Sequence, residues 1–353
     1  MVSTPFVAVP PAGYGGTELV VAALVGALER GGNEVTVFAT GDSRVGELRA
    51  LFDEPVWPPD PYAELLHCRF AVRVVREGGF DLVHAHTPAL LAFARELPVP
   101  VVYTRHHAAD AALSRYYRAI PGVHHVAISA RQAELADPPI REVVHHGLDP
   151  DLYPVVGPGG EAAFFLGRLS RSKAPDLAVE AARRAGMKLV VAGKAHAGDD
   201  SPSWKEELAR SLALPHVRWL GSADLSAKRR LFARSRALLV PLRWEEPFGL
   251  VMLESLLAGC PVVAMPRGAA PEIVEDGRTG FLAGTVREMA AGLRRAARLD
   301  RRAIQARARE RFSSGRMAER YLSVYRSALA ERATGLAPSG RERGEDRWTT
   351  LAH

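Results

Sequence analysis

Two doubly wound α/β domains, each a parallel sheet covered by helices on both faces, are the architecture this sequence predicts. Three observations carry that expectation. The chain has 353 residues, too many for one ordinary hydrophobic core. Short Val-rich runs alternate with helical patterns almost throughout, and continuous apolar strands separated by helices indicate parallel sheets buried on both faces. A Pro/Gly-rich segment, "DPDLYPVVGPGGEA" at 149–162, splits these runs into two series, the composition of a linker.

The expected elements follow in order. "NEVTVFAT", "DLVHAH", "VPVVYT" and "HHVAIS" are strands of a first domain, residues 1–150. "AAFFLG", "KLVVAG", "HVRWLG", "ALLVPL" and "CPVVA" are strands of a second domain, residues 151–311. A helix opens near Thr17 with room before it for only Val2–Thr4 as a strand, so the first strand looks clipped and a start codon upstream is expected. The segment 333–353 is polar with Gly and Pro, the composition of a disordered tail. A ligand belongs between the domains, at the carboxyl ends of the strands.

Composition narrows the function. At 47% hydrophobic, 24% charged and 7% aromatic residues, the chain reads as soluble. No window approaches eighteen uncharged apolar residues, and the N-terminus lacks the basic and apolar regions of a secretory signal. Cys68 and Cys260 give neither a disulfide framework nor a Cys-x-x-Cys pair, so a cytoplasmic location is expected. The formal charge of +6 is concentrated between Arg287 and Arg332, where 13 arginines face 5 acids. Without interleaved aromatics this is not a nucleic-acid surface. A solvated helix face is the plain reading, and peripheral contact with an acidic membrane is the alternative.

Three stretches carry chemistry. In "PPAGYGGTELVV" the glycines, with Gly15 and Gly16 last, lead straight into a helix. Such a loop lets backbone approach a ligand and aims unpaired N–H groups at an anion. It matches neither the Gly-x-Gly-x-x-Gly nor the Walker pattern, and an ordinary strand-to-helix turn reads the same way. "FFLGRLSRSKAPDLAVEAA" places Arg168 and Lys173 at the carboxyl end of a strand, where two cations suit a diphosphate; solvated surface cations are the bland reading. "EEPFGLVMLESLLAGCPVVA" sets Glu246 and Glu254 eight residues apart, one in a loop and one on the helix after it. Amides near Phe248, Gly249 and Leu250 then point at a phosphate or sugar, and the carboxylates accept from hydroxyls. Spacing alone also fits two exposed glutamates.

With these residues in view, "EPFGLVMLE" resembles the Glu-x7-Glu signature of the family-4 retaining glycosyltransferases, whose fold is the two-domain GT-B arrangement around a deep cleft. "FDLVHAH", "VVYTRHH", "VAISARQ", "VVHHGLDPDLYP" and "PEIVEDGRTGFL" are similar in the same order, so the resemblance runs from about residue 8 to 330. It implies transfer of a hexose-type sugar from a nucleoside-diphosphate sugar, most simply a uridine one, to a hydroxyl of a natural-product, lipid-linked or saccharide acceptor. Under it Glu246 binds donor-sugar hydroxyls, Glu254 the ribose, and Arg168 and Lys173 the diphosphate. Gly15, Gly16 and Gly193 line the donor, and His106 stands beside the sugar and the acceptor. A helix over 312–332 crosses back to the first domain. No metal and no cofactor beyond the donor is expected; an epimerase of the same fold and a non-catalytic sugar-nucleotide binder are the alternatives.

The sequence departs from the family at two turns. His146 stands where Asn is usual before Gly147, and Ala174 replaces the usual Gly after Lys173. Both changes are expected to alter local turn geometry, since the replaced types tolerate positive φ better. The paired histidines, from His84 and His86 to His145 and His146, cluster at strand ends of the first half and read as polar cleft lining rather than a zinc site. Asp149 and Asp151 read as the linker turn. Acceptor recognition is expected in 106–122, with Arg115, Tyr116, Tyr117 and Arg118.

Overall fold

A computed structural model of the chain describes residues 1–13, 15–153, 159–194 and 201–334. The expected tail beyond 334 and the middle of the expected linker lie outside the described residues.

The first half carries β1 (Thr36–Phe38), β2 (Glu47–Arg49), β3 (Val83–Ala85), β4 (Val101–Thr104), β5 (Val123–Ala127) and β6 (Glu142–Val143). β3, β4, β5 and β6 pair in that order, all parallel, and β1 pairs with β2. Val2 makes single parallel bridges to Phe38 and to Ala85, so the chain start fills the gap between β1 and β3. The expected strand at Val2–Thr4 is thus reduced to one bridging residue.

The second half carries β7 (Ala162–Leu166), β8 (Leu189–Ala192), β9 (Val217–Trp219), β10 (Ser235–Val240), β11 (Val262–Ala264) and β12 (Gly280–Leu282). Their order is β12-β11-β10-β7-β8-β9, all parallel. β7 continues to β8 on one side, while β10 lies on its other side. The strand order reverses there, and such a switch point opens a crevice outside the carboxyl ends of the two strands. The segments leaving β7 and β10 hold Arg168, Lys173 and Glu246. In the first sheet the segment after Val2 leads to Gly15 and Gly16, and β3 leads to His86.

The two halves share an apolar cluster. Val20 and Leu24 from the helix Gly16–Arg30, Val102 and Val126 from the first sheet, and Met252 and Leu256 from the helix Leu250–Leu257 belong to it, with Tyr321 and Val324. The last two lie on the helix Ser314–Ala333. This helix packs on the first half, where the Tyr321 hydroxyl meets Thr104 Oγ1 at 2.7 Å and the Tyr325 hydroxyl meets His84 Nδ1 at 2.7 Å. Its entry is fixed by a bridge between Leu148 and Ser313.

In the charged C-terminal region most arginines are exposed, as the solvated-face reading expects, with Arg301, Arg307, Arg309 and Arg311 the exceptions. Arg301 is buried, donating to the carbonyls of Phe232 at 2.7 Å and Ser235 at 3.1 Å. Arg311 donates to the carbonyl of Glu272 at 2.5 Å and to Glu275 at 2.8 Å. These guanidiniums satisfy main-chain acceptors that helices leave open at their ends. Arg302, Arg316, Arg320 and Arg326 are exposed.

The turn expectations are corrected. Ala174 itself adopts the left-handed conformation, φ 52, at the N-terminus of the helix Pro175–Ala185. The turn is kept, with the strain that a Cβ brings there. At His146 no positive φ occurs. Asp149 caps the amide of Asp151 at 3.0 Å in the short turn Pro150–Leu152.

Candidate active site

Glu246 and Glu254 are 8% and 4% exposed, so the reading of two solvated glutamates fails. Burying a carboxylate requires partners, and each has them. Glu246 Oε2 accepts from Lys173 Nζ and, at 3.0 Å, from Trp244 Nε1. Lys173 also stands 5.0 Å from the centroid of the Trp244 ring, a cation–π distance. Glu254 Oε1 accepts from the Tyr153 hydroxyl at 2.7 Å and from Lys228 Nζ at 2.9 Å. The residues expected to divide a donor between them are therefore already joined, Lys173 to Glu246 across 73 positions of sequence. Sequence reasoning missed Lys228, Tyr153 and Trp244. Trp244 stands two residues before Glu246 and was within reach of inspection, whereas Lys228 and Tyr153 carry no local signal.

Between the two glutamates the backbone turns into the helix Leu250–Leu257 through Gly249, whose φ of 87 is left-handed. A Cβ there would lie 2.5 Å from Met252 Cε and 3.2 Å from Glu246 Cγ, so only glycine fits. Among the described residues, the amides of Phe248, Gly249 and Leu250 meet no protein acceptor. They form a helix N-terminus with donors to spare. Opposite stands the other helix N-terminus: a Cβ on Gly16 would be 3.2 Å from Leu250 Cδ1. Two positive helix ends from different halves thus converge beside the Lys173–Glu246 pair. Gly15 precedes the first of these helices as its cap residue.

Arg168 follows β7, and its Nε is enclosed without a partner. Gly193 follows β8; its amide donates to Gly221 at 2.6 Å and its carbonyl accepts from Trp219 Nε1 at 2.9 Å. Gly193 thus has both its amide and its carbonyl engaged within the second half. Phe248 packs its ring at 4.9 Å from the His146 ring and 6.3 Å from Phe312.

His106 comes from the first half. Its Nε2 lies 2.9 Å from His86 Nδ1, and its ring is stacked at 5.3 Å on His146. His84 adds a further ring at 4.1 Å from His86. Burial holds His84 and His146 down to about 3, and pushes His86 and His106 well below the ordinary range. These rings are neutral at pH 7 and able to exchange hydrogen bonds. No group of three or more His, Cys, Asp or Glu among the described residues is arranged to hold a metal ion.

The expected acceptor segment is partly corrected. Tyr117 is buried, its hydroxyl 3.0 Å from that of Tyr103 and its ring under Arg105 at 4.3 Å. Tyr116 donates to the Pro88 carbonyl at 2.9 Å, and Arg118 pairs with Asp137. Arg115 remains exposed. A small cavity of about 20 Å³ opens beside them, lined by Arg105, His107, Asp110, Leu113, Tyr117 and Gln132 among others.

The halves are also tied by charge. Glu272 of the second half accepts from the amides of Ala130 at 2.8 Å and Arg131 at 2.9 Å, and from His145 Nε2 at 2.7 Å. Arg131 Nε donates to Glu245 Oε2 at 2.9 Å. Burial pushes the Glu272 carboxyl up, but hydrogen bonds from His145 and the two amides outweigh it and hold the group below the usual range. Replacing Glu272 by Ala deletes these charge-assisted bonds, and a loss of about 2 kcal/mol in unfolding free energy is expected. Urea titration of wild type and variant checks it; a difference below about 0.5 kcal/mol, the scale of an ordinary surface substitution, would show that the tie is not stabilising.

Residues 157–311 match the family described as Glycosyl transferases group 1, and residues 14–152 match Glycosyltransferase Family 4. The chain belongs to the family-4 type of glycosyltransferases. Among relatives of this family, it is 33% identical over 228 residues to D-inositol 3-phosphate glycosyltransferase of Mycobacteroides abscessus, covering 58% of this chain and 50% of that one. The same enzyme of Mycolicibacterium paratuberculosis is 31% identical over 264 residues, covering 61% and 59%. The aligned part thus spans half to three-fifths of these relatives. In structure, the family member is similar to AviGT4, a glycosyltransferase involved in avilamycin A biosynthesis, with TM-score 0.72, 25% identity and coverage of 93% and 97%. Sucrose-phosphate synthase of Thermosynechococcus elongatus shares the fold at TM-score 0.76 and 18% identity, covering 93% and 98%. HepE of Anabaena, crystallised with UDP-glucose, shares it at 0.67 and 20%, covering 92% and 98%. The fold is GT-B, two Rossmann-like domains with parallel sheets. No described helix is long and apolar enough to cross a membrane.

Proposed function

We propose that this family member is a retaining glycosyltransferase that moves a hexose-type sugar from a nucleoside-diphosphate sugar, UDP-linked, to an acceptor hydroxyl held by the first half. The observation that carries the reading is the convergence of the Lys173–Glu246 pair, Arg168 and two helix N-termini at the switch point of the second sheet. Breaking a sugar–phosphate bond moves negative charge onto the departing diphosphate. Fixed cations and helix amides stabilise that charge where it develops, without reorganising at the moment of reaction. Arg168 has an unmet buried N–H, and Lys173 can exchange its carboxylate partner for a phosphate oxygen. That exchange frees Glu246 to accept from the sugar hydroxyls. Glu254, already accepting from Tyr153 and Lys228, keeps acceptor capacity for a ribose. HepE, of the same fold, holds UDP-glucose, and the mycobacterial relatives are named for glycosyl transfer to an inositol phosphate.

The acceptor attacks from the face the diphosphate leaves, which retains configuration, and a phosphate oxygen takes the proton. In this scheme the charge is met by the protein's own cations, and full turnover in excess chelator is expected. His106 stands beside the sugar.

Calorimetry with UDP tests the donor assignment. Glu254→Gln keeps the volume and one acceptor but removes the charge. With carboxylate–hydroxyl bonds worth about 1.5–3 kcal/mol, affinity for UDP is expected to fall about tenfold or more. Equal affinity in wild type and variant would end the ribose assignment.

A further inference from the structure

We propose that Gln132 is a positioning residue for His106, acting through the loop that carries it. Gln132 is buried on the short helix Ala130–Glu134. Its Nε2 donates to the carbonyl of Arg105 at 2.9 Å and to the carbonyl of His107 at 2.8 Å. Those carbonyls flank His106 on both sides. Its Oε1 accepts from the Ile128 amide at 2.8 Å, and its own amide donates to Ser129 Oγ at 3.0 Å. Two donors and an acceptor on one planar group are what a glutamine side chain supplies and a carboxylate or an alkyl chain does not. The backbone of His106 is therefore clamped from one side chain, while its ring meets His86 at 2.9 Å.

The same short helix is fastened to the opposite half. Glu272 accepts from its first two amides, and Arg131 pairs with Glu245, the neighbour of Glu246. Gln132 thus links the placement of His106 to the approach of the donor-binding half. The inference rests on the reading that His106 stands at the transferred sugar. A displacement of about 1 Å at such a position can cost up to about a hundredfold in rate.

The test uses the full chain with carbon-13-labelled histidine, the His106 ring signal being the one lost in His106→Ala. Gln132→Met keeps the volume and removes both donated bonds. The His106 signal is expected to shift or broaden, while that of His216, bonded to Val179 far away in the second half, stays put. Should this variant fail to fold, Gln132→Glu keeps the acceptor toward Ile128 and serves instead. An unmoved His106 signal overturns the proposal. In turnover, kcat is expected to fall about 10–100-fold with donor KM within about twofold, and the same substitution in a His106→Ala background to change kcat by less than about twofold. Losses that multiply independently overturn it. A wild type that transfers no sugar sinks the functional reading alone, because the ring signal still decides the placement.

Discussion

Unfolding free energy is expected to fall by about 4 kcal/mol between pH 7.5 and pH 5.5, bringing the protein close to acid unfolding. His67, His84 and His146 are 0%, 2% and 3% exposed. Burial lowers them to about 4, about 3 and about 3 respectively, from an ordinary 6.5. Above pH 6.5 both folded and unfolded states hold these rings neutral, so they contribute no pH dependence. Below it the unfolded chain takes up protons that the folded chain refuses. Stability therefore falls as the pH drops from 6.5 toward 4, by about 1.4 kcal/mol per ring at one pH unit below. Three rings then remove about 4 kcal/mol, against a typical total of about 5–15. His86, also buried, acts in the same direction. Glu18 opposes it: burial raises its carboxyl, so the folded state binds that proton first as the pH falls. One raised carboxyl does not offset these depressed imidazoles, to which His106 also belongs. Guanidinium titrations followed by tryptophan fluorescence at the two pH values measure the change. Stabilities equal to within about 1 kcal/mol would show that these rings gain protons, or water, without unfolding.

Lys173→Met is expected to lower kcat/KM by roughly a hundredfold to a thousandfold, the usual cost of one preorganised donor at a developing charge. A second effect must be separated from it. Lys173 is the charged partner of Glu246, whose side chain is 9% exposed, and removing one member of such a buried pair destabilises by about 3–5 kcal/mol. Combining Lys173→Met with Glu246→Gln removes both charges and leaves Trp244 Nε1 a neutral acceptor. The double variant is expected to recover most of the lost stability and none of the lost turnover. Lys173→Arg, with a planar fork in place of a point charge, is expected to fall between wild type and Lys173→Met. Steady-state kinetics with the donor, beside thermal unfolding of each variant, separates the two effects. If turnover returns together with stability in the double variant, Lys173 is a structural partner of Glu246 and the diphosphate role is wrong.

Among the strands read from sequence, those with a continuous apolar run were the plainest. "AAFFLG", "KLVVAG" and "ALLVPL" correspond to β7, β8 and β10, because central parallel strands are buried on both faces and must be apolar throughout. β2, β6 and β12 went unread. Glu47–Arg49 and Glu142–Val143 are short and partly exposed, so no run marks them. Gly280–Leu282 begins with a glycine whose added Cβ would strike the Val262 carbonyl at 1.9 Å, a steric demand of its neighbour.

Local chemistry also set what each site residue can offer. Gly249 opens a helix, Lys173 carries a point charge, and Glu246 and Glu254 accept, whatever surrounds them. Partnership is different in kind. Lys173 reaches Glu246 across 73 residues, Gln132 reaches the carbonyl of Arg105 across 27, and Glu272 reaches the amide of Arg131 across 141. Such pairs are chosen by which strands lie side by side at the switch points. Burial then makes the choice binding, since a carboxylate or imidazole removed from water must find its partner within the fold or change its protonation.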